Sequence, residues 1–417
     1  MILARIVAIR EGEARALGWS FAYFFCLLAA YYVLRPLRDE MGIAGGVRNI
    51  PWLFTATFLV MLAAVPAFGA LVAKLPRRLF IPLVYHFFVA NLAIFWGFLT
   101  MGVERAEVAR VFFVWISVFN LFAVSVFWSF MADVFTSEQG KRLFGFIAAG
   151  GSAGALLGPL ATVSIVGAIG PTNLLIVAAV LLEGAVLCAR RLEFRENAPA
   201  PRAEEQMGGS WIAGIVMILK SPYLAGIAFW MFFLSLAGTF LYLQQAEIVS
   251  GASSDPAVRT RIFASIDLTV GILTILVQFL ATGRLLQKFG VGRGVALLPL
   301  VFAAGFVVLA FSPVLAVVIA FQAIQRTANF AISNPSFQLL FTVLGREEKY
   351  KAKNVIDLVV FRGSDAVSSW LFAAMRGAGL ELAAISLSVV PVAAACVALA
   401  LALGRTQERR AAGGHAS

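Results

Sequence analysis

Gln322, Arg326, Asn329 and Ser333 recur at spacings of four, three and four in an otherwise apolar run, followed by Asn334-Pro335. At 3.6 residues per turn these side chains share one helical face. A guanidinium flanked by amides and a hydroxyl suits bidentate binding of a phosphate or carboxylate. Further on, Asp357, Arg362 and Asp365 lie with Ser364 and Ser368, and Arg362 and Asp365 are spaced to neutralise each other at i+3. Near the start, AAYYVLRPLRDEMG places Tyr31, Arg35 and Arg38 near one face with Ser20 and Tyr23. Asp39 is within i+4 reach of Arg35, and Pro36 interrupts the regular backbone bonding. Tyr242, Gln244, Gln245 and Glu247 close another apolar run, and Asp267, Thr274 and Gln278 form a stripe on the next. Glu247 and Asp267 are each a candidate for carrying a coupling proton, or for a gate ion pair with Arg259 or Arg261. Ser117, Asn120 and Trp128 fall at helical spacing, and Tyr31, Tyr32 and Trp128 offer aromatic faces to a flat ligand. His86 is expected to bond to a neighbouring helix rather than relay protons.

These positions stand out because of what surrounds them. The chain of 417 residues is 61% hydrophobic and only 13% charged, where soluble chains carry about 25% charged residues. Its 36 glycines fit close-packed apolar helices better than alternating strands. An all-α integral membrane protein is therefore expected, and a soluble enzyme or nucleic-acid-binding domain is excluded. A charge near the bilayer centre costs about 2.5–3.5 kcal/mol, so the polar residues above should face a cavity or a partner. Cys26, Cys188 and Cys396 sit in apolar runs at no metal-ligand spacing, so neither a disulfide framework nor a metal site is expected. No cofactor motif is present: there is no Gly-rich loop ending in Gly-Lys-Ser/Thr and no His-Glu-x-x-His.

With about 20 apolar residues needed per crossing, twelve segments qualify: 15–34, 50–73, 79–101, 108–132, 143–167, 172–189, 222–246, 262–286, 295–311, 313–343, 354–375 and 379–403. None reads as a cleavable signal peptide. The polar stretch 191–221 divides the chain into a six-helix bundle over 1–190 and a second over 222–404, with a tail at 405–417. Assigning the termini and even-to-odd loops to one side places 23 of the Lys and Arg residues there against 8 opposite, so that side is expected to be cytoplasmic.

Two elements repeat. Gly69-Ala-Leu-Val-Ala-Lys-Leu-Pro-Arg-Arg78 is echoed by Gly283-Arg-Leu-Leu-Gln-Lys-Phe-Gly290, and Phe135-Thr136 by Phe341-Thr342. Parallel six-helix repeats around a midplane cavity are the layout of major facilitator transporters. Gly69, Lys74, Arg77 and Arg78, with Gly283 and Lys288 in the second copy, resemble that family's cytoplasmic gate signature, although its acidic position holds Ala73 and Gln287 here. Gly145, Gly154, Gly158 and Pro159 in GFIAAGGSAGALLGP are similar to the glycine-proline signature of facilitator antiporters. A tightly packed, flexing helix follows from them physically.

YYVLRPLRDEMG, FWSFMADVFTSEQGKRLFGFIAAGGSAG and KYKAKNVIDLVVFRGSD resemble the ATP:ADP antiporter family of plastids and intracellular bacteria. That resemblance is firm over about sixty residues. It implies a substrate-site role for Arg38 and a role for Glu247 as the acid closing its helix. The family's helix 4 Glu and late helix 11 Lys have no clear counterpart here. The expectation is a secondary transporter of an organic anion, nucleotides first, working as a monomer in the bilayer. Arg38, Arg326 and Arg362 would clamp the anion, Asn120, Gln322 and Asn329 would support it, and Glu247, Asp357 and Asp365 would couple or gate. The rival readings are a proton-coupled exporter of drugs or small metabolites and a non-transporting membrane sensor or assembly protein.

Overall fold

A computed structural model describes residues 10, 13–74, 77–192, 211–278, 280 and 283–413. Every regular element described is helical. The helices are α1 (Glu13–Ala44), α2 (Ile50–Lys74), α3 (Arg77–Thr100), α4 (Arg105–Val134), α5 (Ser137–Ile169), α6 (Leu174–Arg190), α7 (Trp211–Lys220) and α8 (Pro222–Ala252). They continue with α9 (Pro256–Val277), α10 (Gly283–Phe311), α11 (Leu315–Ala328), α12 (Asn334–Leu340), α13 (Arg346–Asn354), α14 (Phe361–Gly377) and α15 (Leu382–Gly413). Among the described residues, ten helices are long and apolar enough to cross a membrane. The 17-residue α6 and the continuous π- and α-helical run 355–377 complete the twelve crossings.

Two predicted segments are not simple helices. The run 313–343 divides into α11, a wide π-helical stretch at Asn329–Ser333, and α12. Pro335 explains the break: it has no N–H for the carbonyl of Ala331, and widening to i+5 bonding, with Asn334 N–H on Asn329 O, lets the chain pass. A second π-helical stretch at Val355–Val360 leads into α14. Conversely, α1 passes through Pro36 to Ala44, ten residues beyond its predicted end, as membrane helices tolerate a proline whose freed carbonyl finds other partners. The stretch foreseen as linker contains the apolar helix α7, while 193–210 lies outside the described residues. Helix α15 carries most of the foreseen tail, up to Gly413. The side chains of Gly69, Lys74, Arg77, Arg78, Gly283 and Lys288 also lie outside the described residues, although their backbones belong to α2, α3 and α10.

The chain forms two compact units. One comprises Met1–Gly46, Leu59–Glu204 and Ser253–Leu268, and the other Val47–Phe58, Glu205–Ala252 and Thr269–Ser417, so each takes a short segment from the opposite sequence half. In the first unit α1 packs on α5, α6 and α4. Its contact with α5 is backbone on backbone: a Cβ at Gly150, Gly154 or Gly158 would lie 2.5, 2.4 or 2.8 Å from the carbonyls of Phe21, Phe25 or Ala29. Gly145, expected with them, meets nothing within 4 Å and faces outward, and Gly150 takes its place because it falls in register with Gly154 and Gly158. Aromatic rings fill the rest of that core, with Tyr23, Tyr85, Phe112, Phe119 and Phe127 fully buried. In the second unit the contact of α10 with α15 is built the same way, a Cβ on Gly404 falling 2.1 Å from Gly292 Cα. Trp230 stacks on Phe337 in its core, at 5.2 Å between centroids.

Candidate functional site

The polar residues of the first unit gather on the last three turns of α1. Arg35 Nη1 lies 3.4 Å from Asp267 Oδ1 of α9, whose side chain is 2% exposed. The Arg35 guanidinium also stands 5.8 Å from the Tyr32 ring centroid, and Tyr31 meets Tyr32 edge to face. Arg38 sits 4.4 Å from the Phe113 centroid of α4. Glu40, which the sequence did not single out, is fully buried and accepts from two arginines at 2.8 Å each: Arg105 of α4 on Oε2 and Arg259 of α9 on Oε1. The foreseen partners of Asp267 are thus engaged elsewhere, Arg259 by Glu40 and Arg261 by the carbonyl of Val163 at 3.2 Å. Around residues 35–40 three guanidinium groups (Arg35, Arg105, Arg259) pair with two carboxylates (Asp267, Glu40), and Arg38 and Asp39 lie on the same stretch of α1.

Asn120 is half-buried on α4. Trp128 is enclosed by Phe24, Phe127 and Phe144 edge to face, so it is core rather than a stacking platform. His86 bonds the Pro82 carbonyl of its own helix at 2.7 Å rather than a neighbouring helix, and its Nε2 lies 3.5 Å from Glu183 of α6, an ion pair when the ring is protonated.

In the second unit Asp365 is the hub. Its Oδ1 accepts from Ser235 Oγ at 2.6 Å and Thr239 Oγ1 at 3.1 Å, both on α8, and Arg362 Nη1 approaches Oδ2 at 3.5 Å. The i+3 pair is therefore present, reinforced by two hydroxyls that no spacing rule announced. Gln322 of α11 donates to Gln245 of α8, and Gln244 accepts from Ser386 at 2.9 Å. Ser333 bonds the carbonyl of Gly294 at 3.0 Å. Arg326 is half-buried near the end of α11, and Asn329 opens the π-helical stretch, which shifts Ser333 out of the α-helical stripe. Asp357 is tied to Lys353 one turn earlier and is 45% exposed, so it does not join the Arg362–Asp365 pair. Glu247 forms a two-pronged pair with Arg376, Nη2 to Oε2 at 3.1 Å and Nε to Oε1 at 3.3 Å. Arg376 was not foreseen, and nothing in its local sequence marks it.

Among the described residues no group of three or more His, Cys, Asp or Glu is placed to hold a metal, and the three cysteines are free. The arrangement has ion pairs and hydroxyl–amide networks on membrane helices, which is equipment for binding and moving a polar solute.

The family model of the Major Facilitator Superfamily matches residues 14–354. The chain belongs to that superfamily. Solved structures of this facilitator fold align over nearly the whole chain. A bacterial homolog of the human lysosomal transporter Spinster, inward-facing and unoccupied, aligns at 13% identity, covering 96% of this chain and 99% of its own, with a TM-score of 0.61. The nucleoside transporter NupG aligns at 14% identity, covering 94% and 98%, with a TM-score of 0.62. A bacterial metal transporter aligns at 11%, covering 96% and 99%, with a TM-score of 0.58. At such identities the likeness is one of fold. No curated protein matches the chain by sequence. This facilitator is a multi-pass membrane transporter, and its twelve helices form the superfamily's two pseudo-symmetric six-helix bundles.

Proposed function

We propose that the chain is a secondary transporter of an organic anion, with nucleotides such as ATP and ADP as the first candidates, working by alternating access in the cytoplasmic membrane. The observation that carries this reading is the excess of guanidinium groups over carboxylates around residues 35–40 of a membrane-spanning helix. Arginine is weakly hydrated and forks onto phosphate or carboxylate, so it binds an anion in a desolvated setting better than lysine would. Arg38, braced on Phe113, leads the first unit's contribution, to which Tyr31, Arg35 and Asn120 add. Arg326 and Arg362, supported by Gln322 and Asn329, lead that of the second. Asp39, Glu247, Asp267, Asp357 and Asp365 supply coupling or gating charge. The halves 1–190 and 222–404 are the moving bodies, joined by 191–221. Both termini face the cytoplasm, consistent with the basic loops on that side. Twelve crossings give one chain a complete pathway, so the monomer is the working unit. The nucleoside specificity in the name of NupG, one of the structural relatives, is compatible with a purine-bearing solute.

The test is counterflow of labelled ATP into liposomes loaded with unlabelled ATP. Saturable uptake is expected, with Arg326→Ala raising the apparent KM at least about tenfold through loss of a charge-assisted fork. Uptake driven by a pH gradient and indifferent to nucleotides would assign the chain to proton-coupled export. Normal affinity in Arg326→Ala would remove that arginine from the site.

A further inference from the structure

Within the second unit lies a cavity of 870 Å³ whose lining includes neither Asp365 nor Gln322. Its lining includes the charged Arg48, Glu247 and Arg376 and the apolar Pro51, Leu243 and Phe372. Glu247 and Arg376 cancel each other through their two-pronged pair, and Arg376 Nη1 also donates to the carbonyl of Leu380 at 2.9 Å. Arg48 has no hydrogen bond or ion pair among the described residues, so the wall carries a net positive charge on a guanidinium whose donors are open. The Glu247–Arg376 pair leaves Arg376 with N–H groups to spare, since three of its five are committed. Two lining glycines border open space: a Cβ at Gly251 or Gly377 would meet nothing within 4 Å.

We propose that this cavity binds an organic anion with an apolar or aromatic body, a carboxylate or phosphate ester held by Arg48 with help from Arg376. The anionic head meets two guanidinium groups, of which only one is already neutralised, while the body packs on Phe372, Leu243 and Pro51. A cation would meet Arg48 with no free carboxylate to offset it, and a purely apolar solute would leave both guanidinium groups unused. The volume is ample for a drug-sized or nucleotide-sized solute. The proposal rests on the organic-anion reading above for the link to transport, but the site itself is defined by binding.

The experiment uses the full chain in lipid nanodiscs at low salt, with ATP and benzoate as probes in equilibrium binding. Ser250, on the cavity wall, is replaced as Ser250→Cys and its labelling by a charged thiol reagent is followed. Protection by at least one probe is expected. Arg48→Gln should weaken that protection about tenfold, the loss of one charge-assisted contact. Gly251→Phe, at a lining position where a Cβ meets nothing within 4 Å, should abolish it. No protection by either probe, or protection unaltered in both Arg48→Gln and Gly251→Phe, would overturn the proposal. Protection without ATP counterflow would leave this site standing and sink nucleotide exchange. Counterflow with unprotected Ser250→Cys would do the reverse.

Discussion

Glu40→Gln tests the ion cluster most directly. The carboxylate is fully buried and holds Arg105 and Arg259 at 2.8 Å each. The amide keeps the volume but removes the charge that both guanidinium groups face. Breaking a buried pair from one side costs about 3–5 kcal/mol, because the surviving charge stays buried without its counterion. The two arginines differ in this respect. The side chain of Arg105 is 32% exposed and rehydrates, whereas that of Arg259 is 11% exposed and does not. One stranded cation rather than two places the expected loss at the low end, about 3 kcal/mol. Reversible unfolding of the purified protein in mixed micelles, titrated with SDS and followed by tryptophan fluorescence, reads it. A double-mutant cycle isolates the pair. Arg259→Gln combined with Glu40→Gln should lose about 1–3 kcal/mol less than the two single changes added, since neither charge is then stranded. A single-variant loss under about 0.5 kcal/mol, with no coupling in the cycle, would refute the reasoning and mark the cluster as well hydrated.

Gly154→Leu should destabilise by at least about 1–3 kcal/mol through overpacking, its Cβ already 2.4 Å from the Phe25 carbonyl, while Gly145→Leu should stay within about 0.5 kcal/mol; the same unfolding titration reads both. Pro335→Ala removes the ring that disfavours regular α-helix in the preceding turn, supplies a backbone N–H at that position, and should draw the π-helical stretch toward regular α-helix, turning Asn329 relative to Gln322. A raised KM for the transported solute with unchanged unfolding is the expected readout, and an unchanged KM would show that the wide turn serves chain passage alone.

Much of this was legible along the chain. Hydropathy is additive over neighbours, so twelve apolar runs are read directly, and a basic bias in alternate loops needs no fold to be counted. The Arg362–Asp365 pair was legible for the same reason, because i+3 residues meet on any helix. The segment 313–343 reads along the chain as one crossing, and the π-helical stretch before Pro335 appears only in the structure. Spacing failed where a side chain's partner comes from another helix.

What the sequence by itself determined is the class of molecule: a membrane-embedded, all-helical, twofold-repeated chain with arginines placed where charge is costly. Only the tertiary structure decided who neutralises whom. Glu40 looked like one more charge in Arg38-Asp39-Glu40, yet it is the fully buried acceptor of Arg259, 219 residues away. Glu247 turned to Arg376 and Asp267 to Arg35, while Gly150 rather than Gly145 joined the α1–α5 contact. The physical reason is that burial along a helix is set by local composition, whereas an ion pair or a close backbone approach depends on the register and rotation of two helices whose sequences carry no record of each other.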